Sequence, residues 1–547
     1  MKTKSFSVIL ILLSLPLFIL FSWPLAKYFK TGIPYSFSQT GVSKKLRFND
    51  HLQTCAYLWE LGESVKNKKN PLFHYHEFCF AKNDKCFPLQ ISGLIHRALG
   101  GFTYLITGNT AIGYNFLVFL SFLLTLICAF AFLNQVILDN KLVNALFSII
   151  FAIVPFRLAQ LYCGHWNAFT TFAIPLFYYS FLKFPKKPAY LLLGLYAALA
   201  VDIHTLYYIA LFLPFIFLIS WQKQRPKISI FLVYLLLLIL PGIYNKMALS
   251  NQSTRFGQPR TFEEIGVYTP TVDDFLKRNN PLEQHIYLGL PLLALIGLVF
   301  LANFFLSSIN KRKKTPTFIS IIFLLAIFLS AAMMIGSRKN IFFDFFYRYL
   351  PFFNLSRTPA RLFYIFYLAL LAFASNEIKV LLGQIKAKFA KKLILFVILF
   401  FSFLTITDFK LINKNIGIDI LPKLNFNLRG ENFLAVPLVE NGHFIGSIYE
   451  YFFTQANGKL VNGYSPIARE EINKLIKETE LLNYGNFTKK ECQLLKKLKI
   501  NNVVVFKDQL GFKEYLSDVN PDETLVKLKK NRYLKLNTAD TENQIYQ

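Results

Sequence analysis

Residues 6–23 read FSVILILLSLPLFILFSW, an apolar run without a charged residue. As a helix, a run of this length is long enough to cross the hydrocarbon core of a bilayer. It follows a basic MKTK start, as in a secretory signal peptide, but no small-x-small cleavage site follows it. We therefore predict an uncleaved first membrane helix.

Similar apolar runs recur to about residue 407 of the 547-residue chain, which is 54% hydrophobic with a mean hydropathy of +0.39. A soluble protein of this length would split into domains with polar surfaces. The pattern instead predicts a mainly α-helical, polytopic membrane protein. About eleven transmembrane helices are predicted, at residues 6–23, 112–136, 142–161, 167–183, 189–203, 205–220, 228–247, 285–306, 317–335, 361–380 and 391–407.

Basic clusters beside these runs predict the orientation. Although the formal charge is +29, no nucleic-acid-binding motif is present, so we expect membrane lipids and not nucleic acid as partners. KRKK (311–314) and KAKFAKK (386–392) are typical of cytoplasmic loops. The N-terminus is thus predicted on the cytoplasmic side of the cytoplasmic membrane. The runs on either side of VDIHT (201–205) are interpreted as two spans. One long helix would reverse the orientation of all later spans and place KRKK and KAKFAKK on the outer side.

Two domains are predicted from this layout. Residues 1–407 form the transmembrane domain, with a first outer loop at 24–111 that contains amphipathic helices. Residues 408–547 form a small extracytoplasmic α/β domain, because β-type runs such as NFLAVPL (432–438) and NNVVVF (501–506) alternate with polar helical stretches there.

The first outer loop contains the most informative carboxylate, Asp50 in RFNDHLQTCAYLWE (47–60). Helical spacing places Asp50 and Tyr57 on one face. One interpretation is that Asn49 or Asp50 only caps this helix. The other is that Asp50 polarises an incoming hydroxyl or amine at the membrane surface. The two are compatible, and His51 and Tyr57 are candidates for lining a nearby cavity.

A metal site is a weaker alternative in the same loop. NPLFHYHEFCFAKNDKC (70–86) contains His74, His76, Glu77 and Asp84, and a His-x-His-Glu run can bind a divalent cation such as Mg²⁺ or Mn²⁺. Such loops are usually only solvated, so no metal or other cofactor is firmly expected. Cys79 and Cys86 can form a disulfide on an oxidising side or remain free thiols.

Three later segments bring ionisable groups to the predicted outer side. IVPFRLAQLYCGHWN (153–167) carries Arg157, His165 and Asn167, with Arg157 either snorkelling outward or binding phosphate. Asp202 and His204 lie between two apolar runs and either line the same cavity or pair with each other. Arg357 and Arg361 flank a predicted helix start, where they either anchor the interface or bind a phosphate or diphosphate.

The chain contains no GxSxG, Walker, GxGxxG or HExxH motif, and its cytoplasmic loops are too short for a nucleotide-binding domain. Chemistry is therefore expected on the outer side, where nucleotide sugars and ATP are scarce. An activated donor would then be a lipid-linked molecule.

In order along the chain, these segments resemble the integral-membrane GT-C glycosyltransferases, in particular a little-characterised bacterial branch. NDHLQ (49–53) and NPLF (70–73) resemble its G-D-x-L-Q and N-P-F/L-F motifs, with Asn49 in place of Gly. VPFRLAQLYCGHWN (154–167) and RTPAR (357–361) resemble two later motifs. VPLVENG (436–442), NGKLVNGY (457–464) and NNVVVF (501–506) resemble the branch's outer domain.

The resemblance implies a transferase that takes a sugar from a polyprenyl-phosphate or polyprenyl-diphosphate donor. The acceptor would be a cell-envelope glycan, lipid or protein. The family's acidic first-loop residue corresponds to Asp50, as general base in an inverting reaction. Its phosphate-binding role would suit Arg357 and Arg361, with Arg157 and His165 nearby. Two alternatives stay open, a non-catalytic transporter or assembly protein for lipid-linked glycans and a metal-dependent lipid-linked phosphotransferase.

Overall fold

The computed structural model describes most of the chain with short gaps. The described ranges are residues 3–35, 41–43, 46–47, 49–71, 73–74, 87–88, 93–137, 140–249, 259–280, 284–309, 317–336, 340–356, 358–413, 416–422, 428, 431–439, 443–456, 458–463, 470–507, 518–539 and 543–546.

The described residues are mainly helical, with short strands in the first loop and the C-terminal region. The helices are α1 (Thr3–Ser22), α2 (Asp50–Lys66), α3 (Leu94–Thr107), α4 (Thr110–Val136), α5 (Lys141–Ala152), α6 (Pro155–Tyr162), α7 (Trp166–Phe169), α8 (Ala173–Lys183), α9 (Tyr190–Ala200), α10 (Ile203–Gln224), α11 (Ile228–Leu249), α12 (Phe262–Gly266), α13 (Leu290–Ile309), α14 (Phe318–Met334), α15 (Ile341–Tyr349), α16 (Phe363–Gln384), α17 (Lys388–Ile412), α18 (Gly446–Ala456), α19 (Glu470–Glu478), α20 (Lys489–Lys497) and α21 (Pro521–Lys530). The strands are β1 (Gly32–Pro34), β2 (Gly41–Ser43), β3 (Phe73–His74), β4 (Phe87–Pro88), β5 (Gly417–Ile420), β6 (Asn432–Val436), β7 (Lys459–Leu460), β8 (Ile500–Phe506), β9 (Leu536–Ala539) and β10 (Asn543–Tyr546).

The helices confirm a multi-pass membrane protein. Among the described residues, seven helical stretches are long and apolar enough to cross a membrane: Thr110–Val136, Lys141–Tyr162, Ile203–Gln224, Ile228–Asn245, Leu290–Ser308, Pro359–Gln384 and Lys388–Ile412. Three shorter apolar helices, Phe6–Ser22, Tyr190–Ala200 and Phe318–Met334, coincide with three more predicted spans. The one remaining predicted span, residues 167–183, corresponds to the short helices α7 and α8. The number eleven and the orientation stay predictions.

The chain breaks between α9 and α10, as predicted at VDIHT. Asp202 is the N-cap of α10, and its Oδ1 accepts a hydrogen bond from the Thr205 N–H at 2.7 Å. The Gln224 side-chain amide at the far end of α10 donates to the Leu182 carbonyl at the end of α8 (3.4 Å). Since α9 begins shortly after α8 ends, the start of α9 and the end of α10 lie on the same side. Helices α9 and α10 therefore run in opposite directions.

A small sheet joins the first loop to the region after the last span. β5 lies between β1 and β2, so a strand from beyond residue 412 completes a sheet that the first loop begins. Gly32 pairs antiparallel with Ile420, and Gly41 pairs parallel with Gly417. The described residues between 408 and 422 therefore contain the end of α17 and strand β5.

The C-terminal region forms a second sheet in the order β7-β6-β8-β10-β9, and it contains both predicted strands. Successive side chains of a strand point to opposite faces of the sheet, and in β8 the two faces pack in two different cores. Val503 and Val505 pack in a separate core with α19, whereas Val504 and Phe506 join the main core. There Phe506 stacks on Tyr449 of α18 with 4.8 Å between ring centroids. α18 is thus packed between this sheet and α2.

Candidate active site

The helix that carries Asp50 begins as the sequence predicts. Asn49 is the N-cap, and its side-chain oxygen accepts a hydrogen bond from the Leu52 N–H at 3.2 Å. Because Asn49 takes the capping role, the carboxylate of Asp50 at the first helical position is not needed for it. About 35% of the Asp50 side chain is exposed, which leaves the carboxylate accessible.

A turn from a different part of the chain packs against this first position. Gly164 has φ +79°, and a Cβ added to it would lie 2.6 Å from the His51 amide nitrogen and 3.0 Å from the Asp50 Cβ. Only glycine allows both this backbone conformation and this approach. The GH pair of the CGHWN motif therefore presses directly against the start of α2.

The next residue, His165, faces the Asp50 carboxylate. His165 Nε2 lies 3.7 Å from Asp50 Oδ2, and His165 Nδ1 lies 2.9 Å from Gln160 Oε1. Because an amide oxygen can only accept, the His165 tautomer that carries its proton on Nδ1 can donate to Gln160 Oε1. The Nε2–Oδ2 separation is too long for a hydrogen bond, but it allows electrostatic attraction when the imidazole is protonated. The structure thus brings these two predicted residues together.

His51 does not face the same space. Its ring is completely buried, with Nδ1 2.5 Å from the Tyr114 hydroxyl and Nε2 3.4 Å from the Tyr162 carbonyl. Burial lowers the pKa of His51 to about 3, so the ring is neutral at physiological pH. The expectation that His51 lines a cavity is therefore corrected, since this residue ties α2 to the transmembrane core.

Arg97 is a buried cation near the site that the sequence analysis did not select. Its guanidinium lies 5.5 Å from the centroid of the Tyr57 ring, within the range of a cation–π contact. A Cβ added to Gly93 would lie 2.7 Å from Asn167 Oδ1 and 3.8 Å from Arg97 Nε, so Asn167 and Arg97 are neighbours. Burial lowers the pKa of Arg97. The sequence signal that could have identified Arg97 is a single arginine in the largely apolar helical stretch LIHRALGGFTYL.

Arg157 is completely enclosed by protein. Its Nε donates to the Phe169 carbonyl (3.1 Å), Nη1 to the Ala152 carbonyl (2.5 Å) and Nη2 to the Ser121 hydroxyl (2.8 Å). The Phe169 ring stacks on the guanidinium at 3.9 Å. Arg157 therefore satisfies carbonyls that the break between α5 and α6 and the turn after α7 leave without helical partners. Neither predicted role, snorkelling or phosphate contact, fits a side chain used in this way.

A second charged pair lies at the start of α16. Arg361 Nη1 donates to Asp202 Oδ2 at 3.0 Å, and 16% and 10% of the two side chains are exposed. Asp202 also has a favourable electrostatic interaction with His204. Asp202 therefore interacts both with Arg361 and with the residue predicted to pair with it within VDIHT. Arg357 lies outside the described residues, so its predicted role beside Arg361 stays a prediction.

Helix α6 connects the two charged pairs. Its Phe156 packs against Phe363 and Tyr364, just after Arg361, at centroid distances of 5.4 and 5.1 Å. Its other end leads into Gly164 and His165. The segments that carry His165 and Arg361 therefore lie at opposite ends of one eight-residue helix.

The predicted metal site falls mostly outside the described residues, which exclude His76, Glu77, Cys79, Asp84 and Cys86. The backbone of His74 belongs to β3. In the part of the chain that the structure describes, no group of three or more His, Cys, Asp or Glu residues could hold a metal ion.

Comparison with known proteins gives a fold relationship without a sequence relationship. No protein-family model matches the sequence, and no curated protein matches it. The fold is similar to the cryo-EM structure of arabinofuranosyltransferase AftD from Mycobacteria, with a TM-score of 0.55 and 13% identity over 99% of this chain and 40% of AftD. This chain thus spans well under half the length of that protein.

Two structures of an Archaeoglobus fulgidus oligosaccharyltransferase also match, both with a TM-score of 0.42. The apo form has 12% identity over 93% of this chain and 70% of the other. AglB in complex with an inhibitory peptide and a dolichol-phosphate has 13% identity over 96% and 72%. The similarity to AftD shows a GT-C-like fold that is mainly helical, whereas the predicted number of membrane helices and their orientation stay predictions.

Proposed function

We propose that this protein is a membrane glycosyltransferase of the GT-C type. It transfers a sugar from a polyprenyl-phosphate or polyprenyl-diphosphate donor to a cell-envelope glycan, lipid or protein acceptor. Transfer takes place on the outer side of the cytoplasmic membrane and inverts the anomeric configuration. The C-terminal α/β region lies on the same outer side.

The observation that carries this proposal is the Asp50–His165 pair. An accessible carboxylate at the start of α2, freed from capping by Asn49, lies 3.7 Å from an imidazole on a separate segment. Gly164 fixes that separation by packing against the same turn. A carboxylate held in this way can accept a proton from an acceptor, and a protonated imidazole can attract an anionic leaving group.

In the proposed reaction, Asp50 removes the proton from the acceptor hydroxyl or amine as its oxygen or nitrogen attacks the anomeric carbon. The bond between that carbon and the phosphate oxygen breaks, and the lipid phosphate leaves with the bonding electrons. His165 and Arg361 neutralise the developing charge, with Arg357 beside them. Arg97, buried next to Tyr57 and Asn167, is a further cation near the start of the loop helices.

The fold similarity to AftD supports this reaction class. AftD is an arabinofuranosyltransferase, and almost all of this chain aligns with part of it. The alignment covers 99% of this chain, so it includes most of the helical bundle and the first loop. The sugar and the acceptor are specific to each protein and need direct measurement.

The test uses full-length protein in lipid nanodiscs with a panel of polyprenyl-phosphate sugars. We expect Asp50→Asn to abolish transfer while leaving the melting temperature unchanged, because Asn is almost isosteric and Asn49 retains the cap. Asp344→Asn is the matched control, since Asp344 is a similarly exposed carboxylate (38%) that pairs with Arg348 on α15. Full activity in Asp50→Asn would contradict the catalytic role.

The rival function is a transporter or assembly protein for lipid-linked glycans. A transporter would move the lipid-linked sugar between leaflets without breaking the bond to phosphate. Movement of intact donor across proteoliposomes, without transfer and unaffected by Asp50→Asn, would favour that function instead.

A further inference from the structure

The segment that precedes Asp50 is held by two side chains from the region after the last span. The Arg47 N–H donates to Asp419 Oδ2 at 3.1 Å, and the Asn49 N–H donates to the Ser447 hydroxyl at 3.2 Å. The two bonds therefore tie the chain immediately before α2 to the region after the last span.

Both acceptors are completely buried, which makes these bonds specific. Asp419 and Ser447 each have a relative exposure of 0%. Ser447 is also oriented by donating its own proton to the Phe444 carbonyl at 2.7 Å, which leaves its oxygen lone pairs for Asn49. Removing a buried acceptor leaves the Asn49 or Arg47 N–H without its partner, so the segment would shift or loosen.

Larger elements hold the same acceptors in place. Asp419 belongs to β5, which is inserted between β1 and β2 of the first loop. Ser447 is the second residue of α18, which packs along α2 as far as an edge-to-face contact between Trp59 and Phe453 at 5.4 Å. Gly164 also packs against the first turn of α2. The turn that carries Asp50 thus contacts both the membrane bundle and the C-terminal region.

We propose that Asp419 and Ser447 are positioning residues, through which the C-terminal region aims the Asp50 carboxylate at the acceptor. This inference rests on the proposed function for its catalytic consequence. It assigns to the C-terminal region a direct part in setting the geometry of the first loop, beyond covering the site or binding an acceptor.

The first test is amide hydrogen exchange of the full-length protein, measured on peptides that contain residues 47–50. We expect Ser447→Ala to speed exchange at Asn49, and Asp419→Ala to speed exchange at Arg47, by roughly two- to tenfold, the range that loss of one hydrogen bond gives. Ser447→Thr and Asp419→Asn keep an oxygen acceptor and should restore slow exchange. Unchanged exchange in both alanine variants would overturn the proposal.

The second test separates positioning from general stability by kinetics. We expect Ser447→Ala and Asp419→Ala to lower kcat roughly tenfold or more while the KM values for donor and acceptor change less than about twofold, because a misaimed base slows chemistry without weakening binding. Thr454→Val is the matched control, since Thr454 is a buried hydroxyl on the same helix that donates within α18, to the Tyr451 carbonyl.

An equal loss of kcat in Thr454→Val, or exchange that rises throughout the first loop, would mean simple loosening of the fold and would overturn the proposal. If wild-type protein transfers no sugar from any donor, the proposed function fails. The exchange experiment alone then decides whether the C-terminal region holds the segment before Asp50.

Discussion

Gly164 lies so close to the first turn of α2 that a Cβ there would be 2.6 Å from the His51 amide nitrogen. We therefore expect Gly164→Ala to push α2 away from the turn that carries His165. The positive φ adds a cost of roughly 1–2 kcal/mol. A displaced catalytic group can cost about 10²-fold in rate, and transfer kinetics would measure the loss.

The control for this variant is Gly108→Ala. Gly108 also has a positive φ, +64°, but an added Cβ would meet nothing within 4 Å. It should lose similar stability and keep its activity. Equal rates in the two variants would show that the approach of Gly164 to α2 has no catalytic importance.

The ion pair between Arg361 and Asp202 can be tested by a double-mutant cycle. Asn can still cap α10 at position 202, so Asp202→Asn removes charge without removing the cap. Since both side chains are largely buried, we expect each single variant, Asp202→Asn or Arg361→Gln, to lose about 2 kcal/mol, and the double variant to lose less than the sum.

If Arg361 also contacts the donor phosphate, Arg361→Gln will raise the donor KM about tenfold or more, whereas Asp202→Asn will not. Chemical or thermal denaturation and donor titration together measure both effects. Additive stabilities would argue against a direct interaction, and an unchanged donor KM in Arg361→Gln would remove Arg361 from the site.

Arg157 should behave as a structural residue. Arg157→Lys cannot reproduce three donors in a fixed planar arrangement, so we expect a loss of more than about 3 kcal/mol, seen as a large drop in melting temperature or in folded yield. Arg348→Lys, at an exposed ion pair, should have little effect. A well-folded Arg157→Lys with a raised donor KM would instead restore the phosphate-binding role.

The stability of the protein should depend on pH through Asp419. Burial raises the pKa of Asp419 to about 7, although the Arg47 N–H and charge oppose the shift. The folded state therefore binds this proton more tightly than the unfolded chain, and stability is lost as pH rises from about 4 through 7. Asp419→Asn does not ionise, so its stability does not fall for this reason as the pH rises.

We expect the melting temperature of Asp419→Asn, relative to wild type, to increase between pH 5 and pH 8. Comparing the difference between the two proteins cancels most other titrating groups. The same difference at both pH values would show that Asp419 does not titrate in this range.

Local patterns predicted the elements that surround the site. NDHLQ predicted a helix starting at Asn49 or Asp50, and the structure shows that Asn49 is the cap and Asp50 the first helical residue. The β-type runs at 432–438 and 501–506 became β6 and β8 because their alternation matches a sheet with two packed faces. The polar VDIHT predicted the break where Asp202 caps α10.

The relationships that the sequence did not predict are non-local or depend on broken helices. Arg157 appeared available for a ligand because the apolar pattern runs past it, but the break before Pro155 leaves carbonyls that its guanidinium satisfies. Pro155 was the signal for that break. The pairing of Asp202 with Arg361 joins residues 159 positions apart, for which no local pattern exists.

The insertion of β5 between β1 and β2 has a consequence for biosynthesis. The first loop is translated early, yet the middle strand of its sheet follows the last membrane helix. At about 5–20 residues per second, the ribosome needs on the order of tens of seconds to bridge that interval. The sheet of the first loop therefore stays incomplete until residues 417–420 have been synthesised, after all the membrane helices.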